Sequence, residues 1–186
     1  VLEAMGVQAL VPGNHDAACG PAAFTRWVAS ARFPALLANI TGADGAPWPG
    51  TRPSVLLEVG GIKVGLIGLS SVMLANALGP EARYQAPAPA AAREASALRA
   101  QGATIVIALS HLGYAYGPDV AHWMPPDEDT DARLAEAGVD LDAIIGGHTH
   151  TELPDGVHIG RTSIAHAGAL LESIGELTLE LDERGL

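Results

Sequence analysis

Apolar residues along this chain gather in short continuous runs more often than in strict alternation. The runs cover residues 8–11, 35–40, 54–59, 62–69, 104–109, 142–145, 163–167 and 174–181. Runs rich in Val, Ile and Leu suit strands covered on both faces, as in an α/β protein. Gly60-Gly61 between two of them is a two-residue hairpin signal. Between the runs, the pattern predicts helices over 21–30, 90–101 and 128–137. Pro21 stands where a helix start tolerates proline, and Gly102 and Gly138 close the other two. Residues 41–53 and 113–126, rich in Gly and Pro or lacking periodicity, predict surface loops. The Ala/Pro stretch 86–92 leads into a helix, and no internal repeat is evident. The expected fold is α/β, a layered sandwich of mixed β-sheets flanked by helices.

Length and composition narrow this further. At 186 residues the chain suits one domain, and with 48% hydrophobic and 17% charged residues it can fill a core. Aromatics are only 4%, so aliphatic side chains must do the filling. A formal charge of -11 argues against a polymeric nucleic-acid partner, because little here would neutralise a phosphate backbone. No apolar run approaches the length of a membrane span. The single Cys19 allows no internal disulfide. The opening Val1-Leu2-Glu3-Ala4-Met5-Gly6 reads as a last helical turn with a glycine cap, so a preceding N-terminal stretch is expected. The polar exit Asp182-Glu183-Arg184-Gly185 reads as a domain boundary or the start of a linker.

The candidate chemistry lies at the ends of three runs. Gly13-Asn14-His15-Asp16 follows the first, Ser110-His111-Leu112-Gly113 the fifth, and Gly146-Gly147-His148-Thr149-His150 the sixth. Open α/β sheets place ligand sites just past the carboxyl ends of their strands. If those strands are neighbours, four imidazoles and an amide oxygen converge on one rim. Neutral imidazole with a supplementary amide carbonyl suits zinc, manganese or iron. In an extended segment His148 and His150 would leave the same side and could serve two adjacent ions. Paired ions can activate a bridging water and clamp a phosphoryl group. His15 beside Asp16 then reads as an acid–base or charge-stabilising pair. Each cluster alone could be an ordinary polar turn; the three together, all at strand ends, make coincidence a poor explanation.

On these residues the chain resembles the calcineurin-like metallophosphoesterases, and within them the branch of bacterial 5′-nucleotidases and 2′,3′-cyclic-nucleotide phosphodiesterases. The resemblance extends to Phe33-Pro34-Ala35-Leu36-Leu37-Ala38-Asn39-Ile40 and to Gly60-Gly61-Ile62-Lys63-Val64-Gly65-Leu66-Ile67-Gly68. It implies two divalent metal ions, Asn14, His111 and His148 holding one and His150 belonging to the other. It implies a catalytic role for His15 with Asp16 as its acidic partner, although that branch more often has Glu at this position. The family also has an Asp-x-His strand end and a Gly-Asp turn whose Asp bridges the metals; neither pair occurs in this sequence. The resemblance therefore implies a catalytic domain, residues 1–186, incomplete at its N-terminus and missing its first strands. It also implies a separate nucleotide-binding domain that these residues do not include, and a periplasmic or secreted location.

The remaining side chains carry plainer expectations. His122 reads as a surface residue, His158 as part of a hairpin, and His166 as a structural strand-end histidine that could line the rim. Arg161 is expected to pair with a carboxylate. Cys19 reads as a buried small side chain, and Phe24 and Trp27, three apart on one helix, as core. The leading expectation is hydrolysis of nucleotides or other small phosphoesters. A thiosulfohydrolase on the same fold and a metal-binding or interaction domain without catalysis are the alternatives.

Overall fold

A computed structural model describes residues 2–114 and 129–181. Its strands are β1 (Ala35–Leu36), β2 (Ile40–Thr41), β3 (Thr51–Arg52), β4 (Ser54–Val59), β5 (Ile62–Ser70), β6 (Arg83–Tyr84), β7 (Ile105–His111), β8 (Ala143–Gly146), β9 (Val157–Ile159) and β10 (Thr162–His166). The helices are α1 (Pro21–Ser30), α2 (Val72–Leu78), α3 (Pro87–Ala100) and α4 (Asp131–Glu136), with a 3-10 turn at Asn14–Ala17.

The main sheet has six strands in the order β4-β5-β7-β8-β10-β9. Strands β5, β7, β8 and β10 run parallel, and β4 and β9 close the two edges antiparallel. The predicted hairpin at Gly60-Gly61 forms, with φ of +59° and +81°, the left-handed pair that a two-residue turn of this kind requires. Two two-stranded pairs, β1 with β3 and β2 with β6, lie beside this sheet. The mixed α/β architecture agrees with the expectation from the apolar runs.

Two apolar clusters hold the layers together. One lies between the main sheet and helices α3 and α4, with Ile67, Leu69, Val106, Ile144, Leu98 and Leu134 in it. Alanines Ala90, Ala91 and Ala95 let α3 approach the sheet closely. The other joins α1 and α2 to β1 and β2 through Phe24, Val28, Leu37, Ile40, Leu74 and Trp48. Phe24 and Trp27 are core neighbours with ring centroids 6.1 Å apart, as their spacing predicted.

Several elements depart from expectation for physical reasons. The run 35–40 splits into β1 and β2, because buried Asn39 turns its amide onto Ser70. Asn39 Nδ2 donates to Ser70 O at 2.8 Å and Asn39 Oδ1 accepts from Ser70 N at 2.9 Å. The run 8–11 makes one bridge, Leu10 to Ala35, rather than a strand. The run 174–181 keeps its alternation, with Leu177, Leu179 and Leu181 half-buried and the intervening residues exposed, yet forms no strand. No neighbouring strand among the described residues offers it a ladder. Helix α2 was not predicted, although Leu74, Ala75 and Leu78 form its buried face. Cys19 is exposed, not buried, because Ala17 takes the inward position of that turn. The end of the predicted helix at residue 128, most of the predicted loop 113–126, and His122 lie outside the described residues.

Gly6, at φ +75°, accounts for the cap seen in the opening residues. Val7 N donates to Leu2 O at 3.2 Å and Gly6 N to Glu3 O at 3.1 Å, the paired bonds of a glycine-terminated helical turn.

Candidate active site

Strands β7 and β8 are adjacent and parallel, so their carboxyl ends deliver His111 and the turn 147–150 to one edge. The loop after Leu10 reaches the same edge, because Ser70 at the end of β5 donates its hydroxyl to Pro12 O at 2.8 Å. Asn14 Oδ1 then lies 3.1 Å from His111 Nε2. The His111 and His148 rings sit side by side, with centroids 4.7 Å apart and planes tilted by 45°. His15 and His150 stand at the exposed rim, close enough that their charge disfavours protonation of both inner rings.

Glycine makes this packing possible at Gly13. A Cβ there would lie 2.5 Å from His111 Nε2, so the loop can pass over the imidazole only with bare backbone. The third cluster reaches the site by a route the sequence did not suggest. His148 and His150 adopt φ of +81° and +56°, left-handed values rather than the extended segment expected from their spacing. Non-glycine residues held there store strain, about 1–3 kcal/mol each, which packing must offset. Thr149 supplies the anchor: it is 4% exposed, and its Oγ1 accepts from Tyr114 N at 3.2 Å. The turn carrying His148 and the loop following His111 are thereby joined.

Both inner rings are neutral at pH 7. Burial lowers the His111 pKa from 6.5 to about 4, assisted by repulsion from His15, His150 and His166. Burial likewise lowers that of His148 to about 4, with His111, His15 and His150 adding to the effect. Neutral imidazole is the form that ligates a metal.

Asp16, expected as the acidic partner of His15, makes its hydrogen bond within its own loop. Its Oδ2 accepts from Gly13 N at 2.8 Å, folding the carboxylate back onto its own loop. Asp16 therefore clamps the turn that presents Asn14 and His15. His158 sits on the β9–β10 hairpin, where Ser163 Oγ lies 3.2 Å from its Nδ1. Arg161 pairs with Asp140 and Asp142 at 2.8 and 3.0 Å, as expected of an exposed arginine.

The donor chemistry can be tested against the two ions implied by the sequence. Asn14 Oδ1 lies 3.1 Å from His111 Nε2 and the His111 and His148 rings are 4.7 Å apart, so neutral N and O donors meet here whose chemistry suits one divalent ion. Among the described residues, no group of three or more His, Cys, Asp or Glu could hold a metal. Among the described residues, His150 and His15 are the further imidazoles at the rim, and the Asp-x-His and Gly-Asp pairs that would add carboxylate donors for a second ion do not occur in this sequence.

The fold is thus that of an α/β protein whose parallel strand ends bring adjacent neutral imidazoles together beside an amide and a rim histidine. The calcineurin-like phosphoesterase family model matches residues 3–152, and the chain belongs to that family. It is 29% identical over 161 residues to a 5′-nucleotidase of Diplobatis ommata, covering 83% of this chain and 26% of that protein. An apyrase of Tabanus yao is 30% identical over 198 residues, covering 94% of this chain and 33% of the apyrase. Among solved structures, a calcineurin-like phosphoesterase of Bacillus subtilis superposes with a TM-score of 0.74 at 23% identity. That match covers 90% of this chain and 56% of the other, and concerns the fold. The chain thus spans roughly a quarter to a third of the length of these curated relatives. Members of the family generally depend on two metal ions.

Proposed function

We propose that this chain forms the greater part of the catalytic domain of a metal-dependent phosphoester hydrolase acting on 5′-nucleotides, cyclic nucleotides or related small phosphoesters. The observation that carries the reading is the convergence of Asn14, His111 and His148, with His15 at the rim beside them. Asn14, His111 and His148 hold one divalent ion of the Zn, Mn or Fe type, and His150 contributes to a second. The Asp-x-His and Gly-Asp donors, absent from these 186 residues, belong in this reading to sequence outside them. When bound, such ions offset charge developing on the phosphoryl oxygens and lower the pKa of water.

The chain's own residues have distinct tasks. His15, exposed and carried on the 3-10 turn, faces the entering phosphoester and donates a proton to, or stabilises charge on, the leaving oxygen. Asp16 holds that turn closed through Gly13 N, so its effect on His15 is positional. Burial of His148 and partial burial of His111 keep both rings neutral. The small anionic substrate binds against an overall charge of -11, so local cationic character must come from the ions and from His15. We infer a periplasmic or secreted location from the family resemblance alone. Among the described residues no helix is long and apolar enough to cross a membrane.

The test separates ligand from acid. In the protein translated from its complete gene, His15→Ala should lower 5′-nucleotide turnover by about 10²–10⁴-fold, the contribution of a general acid–base group, without changing bound metal. Asn14→Ala and His148→Ala should reduce bound metal itself. Metal loss in His15→Ala, with retention in the other two, would reverse the assignments.

A further inference from the structure

Three adjacent parallel strands place Ser110, Gly146 and His166 side by side. Ser110 pairs with Gly146 between β7 and β8, and His166 pairs with Gly146 between β8 and β10. Register neighbours project to the same face of a sheet. The side chains of Ser110 and His166 therefore rise on either side of a residue that has none. Asp131, the first residue of α4, occupies the space between them. Its Oδ1 accepts from Ser110 Oγ, and its Oδ2 lies 2.7 Å from His166 Nε2. Asp131 is 0% exposed, Ser110 3% and His166 5%. A Cβ on Gly146 would overlap both His166 Nε2 and Asp131 Oδ2. The bare backbone of Gly146 lets the pair close across β8.

A buried ionisable pair is a poor source of stability, because apolar side chains of similar volume commonly serve as well or better. Its placement suggests another use. Ser110 immediately precedes His111, and Gly146 lies two residues before His148. Ser110 Oγ also accepts from Leu112 N at 3.2 Å, and Asp131 N donates to Gly113 O at 2.7 Å. The cluster thus grips the chain on both sides of His111. It also ties β7 to β10 across β8, whose carboxyl end leads into the turn that carries His148. His111 and His148 meet ring to ring one step beyond the cluster, so a shift of either strand end would open that contact.

We propose that Ser110, Asp131 and His166 form a positioning cluster that sets the relative orientation of the His111 and His148 rings. The inference rests on the reading of those two rings as metal donors. It extends that reading to residues that touch neither metal nor substrate. His166 Nδ1, buried and without a hydrogen-bond partner among the described residues, marks the cost accepted to keep an imidazole here.

The test compares His166→Leu, Asp131→Asn, His166→Gln and a distant core variant, Leu98→Ala, in the full chain. Two readouts are taken: the imidazole nitrogen resonances of His111 and His148 in the metal-free protein, and the affinity for Zn²⁺ by calorimetry. His166→Leu and Asp131→Asn should move both sets of resonances and weaken Zn²⁺ binding about 10–100-fold, the usual effect of disturbing the groups that orient ligands. His166→Gln keeps a side-chain donor for Asp131 and should restore both readouts towards wild type. Leu98→Ala should lower the melting temperature and leave both unchanged. Unmoved resonances and unchanged affinity in His166→Leu and Asp131→Asn, or equal changes in Leu98→Ala, would overturn the proposal. If the wild-type chain binds no Zn²⁺ while the rings still respond to His166→Leu, the metal reading fails and the positioning role stands. Should His166→Leu not fold, Ser110→Ala removes one hydrogen bond with little volume; a His111 resonance that stays in place there contradicts the proposal.

Discussion

His111 and His148 show how burial and mutual repulsion prepare a site before any ligand arrives. Each ring has its pKa lowered from 6.5 to about 4, burial being the larger cause for both. The unfolded chain therefore takes up protons below about pH 6.5 that the folded chain refuses until about pH 4. Their contribution to stability is complete above pH 6.5 and is lost as the pH falls towards 4. Denaturant midpoints of the metal-free chain between pH 7.5 and 4.5 should decline over that window, and less steeply in His148→Gln. Equal slopes for wild type and variant would contradict a buried neutral His148. The residues of this contact were legible in the sequence because each follows an apolar run, a position with few structural demands of its own. Asp131 and His166 were not legible as partners. One opens a short helix and the other ends a strand, so each has a sufficient local explanation, and only the strand register joins them. The bond from Gly13 N to Asp16 was not legible, because adjacency in sequence does not tell how a carboxylate is held within its own loop.

Among the elements, the main sheet was the most readable part. The runs that became β4, β5, β7, β8 and β10 are long or apolar enough to need burial, and Gly60-Gly61 leaves little choice of turn. The smaller pieces were harder to read because their form depends on tertiary partners. Asn39 breaks the run 35–40 by bonding Ser70, thirty-one positions away. Residues 174–181 have the alternation of a strand but no ladder to join among the described residues. Helix α2 is seven residues long, too short for periodicity to stand out. Gly68 illustrates the same dependence in β5. A Cβ there would overlap the backbone carbonyl of Leu36, where β1 crosses the main sheet. Backbone cannot move aside as a side-chain tip can, so Gly68→Ala should cost about 3 kcal/mol, the upper range for overpacking. Chemical denaturation measures this directly, and a loss under about 1 kcal/mol would mean the two sheets are less tightly apposed than described.

For the molecule as a whole, family and fold agree with the motifs: calcineurin-like phosphoesterase over residues 3–152, on a mixed α/β scaffold. Strands β7 and β8 and the loop after Leu10 bring Asn14, His111 and His148 to one edge, while His15 and His150 remain at the rim. We expect Asn14, His111 and His148 to hold one ion and His150 alone to be too few ligands for a second, and this asymmetry is the central claim. Three protein donors retain an ion, whereas a site left with one ligand and solvent does not. The most direct measurement is the Zn²⁺ or Mn²⁺ stoichiometry of the purified chain, by mass spectrometry after equilibration and gel filtration. Wild type should retain one ion per chain, and Asn14→Ala and His148→Ala should each lose it. Two tightly held ions, or one that survives both substitutions, would contradict the account.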